Sequence, residues 1–157
     1  MKIALINDTH WGARGDSLTF MNYFRKFYDN VFFPYLEEHN IKTLIHLGDV
    51  VDRRKFINFK ILNDLRTNFV ERLWKMGIDT HIIIGNHDTF HKNTNDLNSL
   101  QEMFTTHEGK VEPWMYSSPK EVDFDGLGIL MMPWINEGNY GECMKAIKNT
   151  QCQILMG

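Results

Sequence analysis

Three short apolar runs in this chain each empty into residues that hold metal ions. Lys2-Ile3-Ala4-Leu5-Ile6-Asn7 leads into Asp8-Thr9-His10. Thr43-Leu44-Ile45-His46-Leu47 leads into Gly48-Asp49-Val50-Val51-Asp52. Thr80-His81-Ile82-Ile83-Ile84 leads into Gly85-Asn86-His87-Asp88. Runs of this length and β-branched content read as buried strands. Between them lie stretches of helical periodicity. Strands separated by full helices imply βαβ crossovers and a mostly parallel sheet. In such sheets ligands bind beyond the carboxyl ends of the strands. All three polar clusters fall there, so the topology brings them to one edge.

The expected elements are strands at about 2–7, 43–47 and 80–84, with helices at about 17–39 and 55–76 between them. Asp16-Ser17 offers a cap for the first helix, and Met21, Phe24, Tyr28, Val31 and Tyr35 recur at three- and four-residue steps. Pro34 should kink or end it. Ile61, Leu62, Leu65, Phe69, Leu73 and Met76 form the face of the second helix, and Gly77 supplies its stop. The second half reads as a short helix near 96–104, then a hairpin from Glu121-Val122-Asp123-Phe124 through Asp125-Gly126 to 127–132. A helix near 138–149 and a strand near 152–156 follow. No internal repeat or low-complexity segment is visible.

The 157 residues fit one domain with a real core. A net charge of −3 and a pI near 6.1 give no broad basic face, so a nucleic-acid partner would be held locally, by metals and a few arginines. Cys143 and Cys152 make no disulfide framework and no zinc cluster. No apolar stretch approaches the ~20 residues of a membrane span. With a strand at the very N-terminus in place of a leader, the expected location is the cytoplasm, that of a host cell if the gene belongs to a phage.

Phosphodiester hydrolysis needs water made nucleophilic, phosphoryl charge neutralised and a proton for the leaving alkoxide. Two metals about 3.5–4 Å apart meet the first two needs. Asp8 and His10 alternate along extended chain, so both can reach one ion. Asp49 is the candidate bridge, and Asn86 offers a neutral oxygen to a second ion. His87 is the candidate proton donor. Oxygen and imidazole donors without thiolate suit manganese, iron or zinc. Singly, Asp-x-His reads equally as a surface pair, Asp49 as a helix cap and Gly-Asn as a turn. The ordered conjunction at three strand ends is the specific signal.

Those three clusters resemble the first three motifs of the calcineurin-like metallophosphoesterases, and within them the SbcD-type DNA nucleases. Gly12 extends the first motif to Asp-x-His-x-Gly, and Arg53-Arg54 follows the second. Val122-Asp123-Phe124-Asp125-Gly126 and then Pro133-Trp134 are similar to the nuclease subunits of T-even-like phage recombination endonucleases. The resemblance implies an αββα sandwich, of which residues 1–157 form the N-terminal portion of a nuclease domain. It implies Asp8, His10, Asp49 and Asn86 as metal residues, His87 and Asp88 as catalytic, with Asp88 orienting His87, and Asp52 behind the ligands. It implies two divalent ions, manganese first, with zinc, iron or magnesium as alternatives. DNA is the implied substrate. A coiled-coil ABC ATPase of the SbcC type is the implied partner, and homodimerisation is a family expectation. The family's later Gly-His and Gly-His-x-His motifs are not in this sequence, so the chain is expected to be part of a longer protein. Other readings are a phosphatase or nucleotide phosphodiesterase of the same superfamily, or a non-catalytic scaffold.

Trp11, Arg53 and His91 are candidate substrate contacts: Trp11 for base stacking, with rim packing as its plainer role; Arg53 for phosphate or the site's carboxylates; His91 for its closeness to the third motif. His39 and His107 read as surface residues, and His46 and His81 as core or sheet-face residues. Trp114, Trp134, Met131 and Met132 read as core.

Overall fold

A computed structural model describes residues 1–104 and 113–157. His107 therefore lies outside the described residues. The expected parallel sheet is present. Strands β1 (Ile3–Ile6), β2 (Thr43–His46), β3 (Asp79–Ile83) and β4 (Trp114–Tyr116) lie in that order and pair in parallel, with Ile6 beside His46 and His46 beside Ile82. β4 has no counterpart in the sequence reading. Its three residues are too few to show a period, and Trp114 is 47% exposed rather than core. The Trp114 indole donates to the Asp79 carboxylate at 3.1 Å and stacks on His81.

The crossover helices are real but not uniform. α1 runs as α-helix over Leu18–Phe27, widens to a π-helical turn at Tyr28–Phe32, and resumes over Phe33–Glu38. Ser17 caps it by accepting from the Phe20 N–H. Pro34 does not end it: it stands second in the α-helical segment that follows the π turn. α2 is Phe59–Leu65, a π turn at Arg66–Val70, then Glu71–Lys75. It starts four residues later than expected because Asn58 takes the cap, accepting from Lys60 N–H. Gly77, at φ 64°, closes it with Gly77 N–H to Trp74 O and Ile78 N–H to Leu73 O.

Alternation along the strands separates two cores. Leu44, Ile82 and Ile84 face α1 and α2, among Tyr28, Phe33, Leu65 and Phe69. Ile45 and Ile83 face the other way, onto Phe124, Ile129 and Met131 of a second sheet. That sheet holds the expected hairpin, β5 (Lys120–Phe124) and β6 (Leu127–Met131), with β7 (Ile154–Met156) parallel to β6. Asp125 and Gly126 both have positive φ, which gives the tight primed turn that Asp-Gly predicts. Helix α4 (Tyr140–Asn149) covers the outer face of the second sheet, where Cys143 meets Leu130 and Met132. The short α3 (Ser99–Met103) is capped by Asn98. The layers are therefore helix, sheet, sheet, helix, the αββα sandwich the sequence implied. Among the described residues no helix is long and apolar enough to cross a membrane.

Candidate metal centre

The parallel sheet does not stop at its last paired residues. Past β1 and β2 the two chains keep bonding: Asp8 N–H to Gly48 O at 3.3 Å, His10 N–H to Asp49 O at 3.1 Å, Trp11 N–H to Val50 O at 2.8 Å. These bonds lay the first motif directly on the second. The third motif is brought in by two glycines. A Cβ on Gly85 would lie 2.3 Å from both the Asp49 nitrogen and its Oδ1. A Cβ on Gly48, itself at φ 107°, would lie 2.9 Å from the Gly85 Cα. Only hydrogen fits between these backbones. Asp8, His10 and Asp49 all have positive φ, at 51°, 40° and 54°. Left-handed backbone costs a non-glycine residue roughly 1–2 kcal/mol. Three such residues together are strain held at a site by its surroundings.

This backbone brings Asp8, His10 and Asp49 together, with donor atoms all within 4.8 Å of one another. His10 Nε2 lies 3.3 Å from Asp8 Oδ1 and 4.0 Å from Asp49 Oδ2. The opposite nitrogen, Nδ1, is buried without a hydrogen bond and lies 3.7 Å from Asp52 Oδ1. Two carboxylates facing one imidazole nitrogen, with a third carboxylate behind the ring, match the needs of a divalent cation. The residues fit the group. Asp49 divides its oxygens: Oδ1 accepts the His87 N–H at 2.8 Å and Oδ2 faces His10. Asn86 immediately precedes His87, so its backbone is fixed beside Asp49.

His87 is half-buried and its ring meets that of His10 edge-on, with centroids 4.9 Å apart. Its Nδ1 lies 2.7 Å from the carbonyl oxygen of Asp52. A carbonyl only accepts, so Nδ1 carries a hydrogen and Nε2 is the atom left for proton exchange. This corrects the expected role of Asp88. Asp88 is fully buried and spends its carboxylate on backbone: it accepts from Asp49 N–H at 3.0 Å, Val51 N–H at 3.2 Å and Gly85 N–H at 2.9 Å. It clamps the second motif to the third, and its hydrogen bonds go to these backbone N–H groups and not to the His87 ring. Asp52 orients His87 instead. Burial pushes the Asp88 carboxyl up to about 7, against the pull of its backbone hydrogen bonds.

A further clamp was not legible in the sequence. His46, fully buried at the end of β2, accepts the Gly48 N–H on Nδ1 at 3.2 Å. Its Nε2 hydrogen therefore points to Thr9 Oγ1, 2.9 Å away. The Thr9 hydroxyl passes its own hydrogen to the Val50 carbonyl at 3.2 Å. The chain of bonds ties Thr9, which stands between Asp8 and His10, to both sides of Asp49. Desolvation, with the His10 charge adding to it, drives the His46 pKa down to about 3 and keeps the ring neutral. His46 does lie on a sheet face, as expected, 6.5 Å from the Phe69 ring. His81 is likewise buried, bonded to Tyr116 and Asp79.

The three candidate substrate contacts separate. The Trp11 ring stacks on Tyr28 at 5.5 Å and 7° and packs near Phe69, so it is rim packing and not free for a base. Arg53 pairs with Asp16 at 3.3 Å, not with the site's carboxylates. His91 is exposed on the loop that leaves the third motif, edge-on to Phe90. Trp134 is half-buried, while Met131 and Met132 are core as expected.

Exonuclease subunit 1 of Enterobacteria phage T4 is 32% identical over 160 residues, covering 100% of this chain. The chain spans 45% of that relative's length. A solved structure of a protein of unknown function from Aquifex aeolicus covers 98% of this chain and 75% of its own, at 20% identity and a TM-score of 0.48. Residues 1–155 match the calcineurin-like phosphoesterase family, whose members use divalent metals to hydrolyse phosphoesters, and the chain belongs to that family.

Proposed function

We propose that this chain carries the metal-binding half of a DNA nuclease that hydrolyses phosphodiesters with two divalent ions, manganese foremost. The observation that carries the reading is the meeting of Asp8, His10 and Asp49 beside a histidine whose ring is already oriented by Asp52. A divalent pair supplies a lowered pKa for water and charge neutralisation at the phosphoryl oxygens. Asp8 and His10 would hold the first ion, Asp49 would serve both and Asn86 would serve the second. His87 presents Nε2 to the leaving oxygen, and in its protonated form gives that oxygen a proton. DNA as substrate is favoured by the likeness to a phage exonuclease subunit. The word subunit also favours a multi-chain assembly, for which a coiled-coil ABC ATPase of the SbcC type and a second copy of the nuclease are the proposed members.

The test is hydrolysis by the full-length protein with manganese, alone and with the ATPase. Linear DNA should be degraded, and EDTA should stop it. Cleavage of cyclic nucleotides or phosphomonoesters with DNA left intact would overturn the DNA assignment in favour of a small-substrate phosphoesterase.

A further inference from the structure

The segment leaving the second motif reads Asp52-Arg53-Arg54-Lys55-Phe56, with Phe59 three residues on. Each of its three cations lies over a different aromatic ring. The Arg53 guanidinium is 4.9 Å from the Phe56 centroid, that of Arg54 is 5.0 Å from Trp134, and the Lys55 ammonium is 5.7 Å from Phe90. The rings come from three separate segments. Phe90 follows His87 by three residues, and Trp134 is fixed by its N–H to Ile84 O at 2.9 Å. Arg54 also reaches the Thr89 hydroxyl at 3.5 Å. The cluster is thus built onto the loops that carry Asp49 and His87.

It is also left open. Phe56 is 63% exposed, Phe59 88% and Phe90 37%. Among the described residues neither Arg54 nor Lys55 has a carboxylate within 4.0 Å. Phe56 and Phe59 gain little from burial, Phe90 keeps over a third of its surface in water, and exposed cation–π contacts contribute only about 0.5–1 kcal/mol each. A ligand that supplies flat apolar faces together with anions would use both halves of the surface. Unpaired polynucleotide has that alternation, base and phosphate, whereas a duplex hides its bases in the stack.

We infer that Phe56, Phe59 and Phe90, with Arg53, Arg54 and Lys55, form a base-stacking platform that binds single-stranded DNA beside the metal centre. The inference rests on the nuclease reading and adds a strand-selective subsite to it. Phosphates next to the scissile one pair with Arg54 and Lys55, and unstacked bases lie on the phenyl rings. Selection for frayed or unpaired DNA follows, because only there are the base faces free.

The test is equilibrium binding by metal-free full-length protein in EDTA, so hydrolysis plays no part. Fluorescein-labelled dT oligonucleotide is compared with an abasic strand of equal length, which keeps the phosphates and removes the rings. The intact strand should bind about tenfold or more tighter than the abasic one, the range expected for base–aromatic stacking. Phe56→Ala/Phe90→Ala should bring the two strands within about twofold by weakening only the intact one, and Phe56→Trp should keep the difference. Phe56→Ala/Phe59→Ala alters only exposed rings and guards against a folding defect. Equal binding of both strands by the native protein overturns the platform, leaves the nuclease reading standing and turns the exposed rings into a protein-docking surface. Binding of neither strand, with no manganese-dependent DNA cleavage, overturns both.

Discussion

Thr9→Val removes one oxygen and leaves the shape of the side chain almost unchanged, which makes it the sharpest probe of how the metal loops are held. Two groups lose their partner: the His46 Nε2 hydrogen, 2.9 Å from the hydroxyl, and the Val50 carbonyl, 3.2 Å away. His46 and Val50 are both buried, so water cannot easily replace the hydroxyl. Each abandoned buried polar group costs roughly 1–3 kcal/mol. Allowing for the apolar gain of the added methyl, about 2–3 kcal/mol of destabilisation is expected. For a domain of this size that corresponds to a fall of about 5–10 °C in Tm. Urea unfolding in EDTA reads the loss without any contribution from metal. Manganese titration by calorimetry then reads the functional part, because Thr9 stands between two ligands; about 10- to 100-fold weaker binding is expected of a change behind the ligands. The double variant Thr9→Val/His46→Leu closes the cycle and should recover about 1–2 kcal/mol of the summed single losses. A cost below about 0.5 kcal/mol with unchanged manganese affinity would refute the clamp. The backbone bonds between Asp8, His10 and the second motif would then hold the loops alone.

His87→Ala should lower DNA hydrolysis by about 10²- to 10⁴-fold while manganese affinity stays within a few-fold, since the ring is oriented by Asp52 and is not a ligand; lost affinity in calorimetry would move His87 into the ligand set. Gly85→Ala should cost more than about 3 kcal/mol or prevent folding, because its methyl would overlap the Asp49 backbone, and near-native urea stability would contradict the close approach. Asp88→Asn should destabilise by about 2–3 kcal/mol, because an amide offers one acceptor where the carboxylate serves three N–H donors; wild-type unfolding midpoints would sink that assignment. His46 gives a pH signature. Its folded pKa near 3 lies below the unfolded 6.5, so acidification protonates the unfolded chain first and favours it. Asp88, raised to about 7, works in the opposite direction, so the signal is the difference between wild type and His46→Leu. Between pH 7 and pH 5 wild type should lose about 2 kcal/mol relative to the variant, and parallel stability curves would show that His46 is not held neutral.

The residues proposed to bind and those that hold them in place were unequally visible in the sequence. Asp8, His10, Asp49, Asn86 and His87 stand at the ends of apolar runs, and a parallel sheet sends all such ends to one edge. The helix–strand alternation follows from period and the hairpin from its Asp-Gly turn, which is why β1, β2, β3, the β5–β6 hairpin and β7 were expected. β4 was not, because three residues with a half-exposed tryptophan carry no period. The π turn at Arg66–Val70 leaves the stripe of Ile61, Leu65, Phe69 and Leu73 in place, whereas the one at Tyr28–Phe32 shifts the buried face to Phe33 and Leu36 and leaves Val31 and Tyr35 exposed, against the expected spacing. Asp88 was given its role beside His87 by the family resemblance. In the fold, adjacency in sequence sends the two side chains apart, one to the site and one into the core.

What the structure adds is the relation between strain and clamping. The three proposed ligand positions, Asp8, His10 and Asp49, sit in left-handed backbone, together worth a few kcal/mol against folding. Nothing in β1, β2 or β3 requires that. The opposing terms are the parallel backbone bonds past the strand ends, the Asp88 carboxylate across the second and third motifs, and the His46–Thr9–Val50 relay across the first and second. Each clamp uses a buried polar group that would be costly if unpaired, so each is stable only when all its partners are in place. The consequence is an arrangement that closes as a unit. A loop carrying Asp8, His10 or Asp49 cannot drift without stranding a buried carboxylate or imidazole, so the donor atoms of these residues are held within 4.8 Å of one another. In the proposed hydrolysis, loops clamped in this way would leave binding energy for the transition state rather than for positioning the side chains.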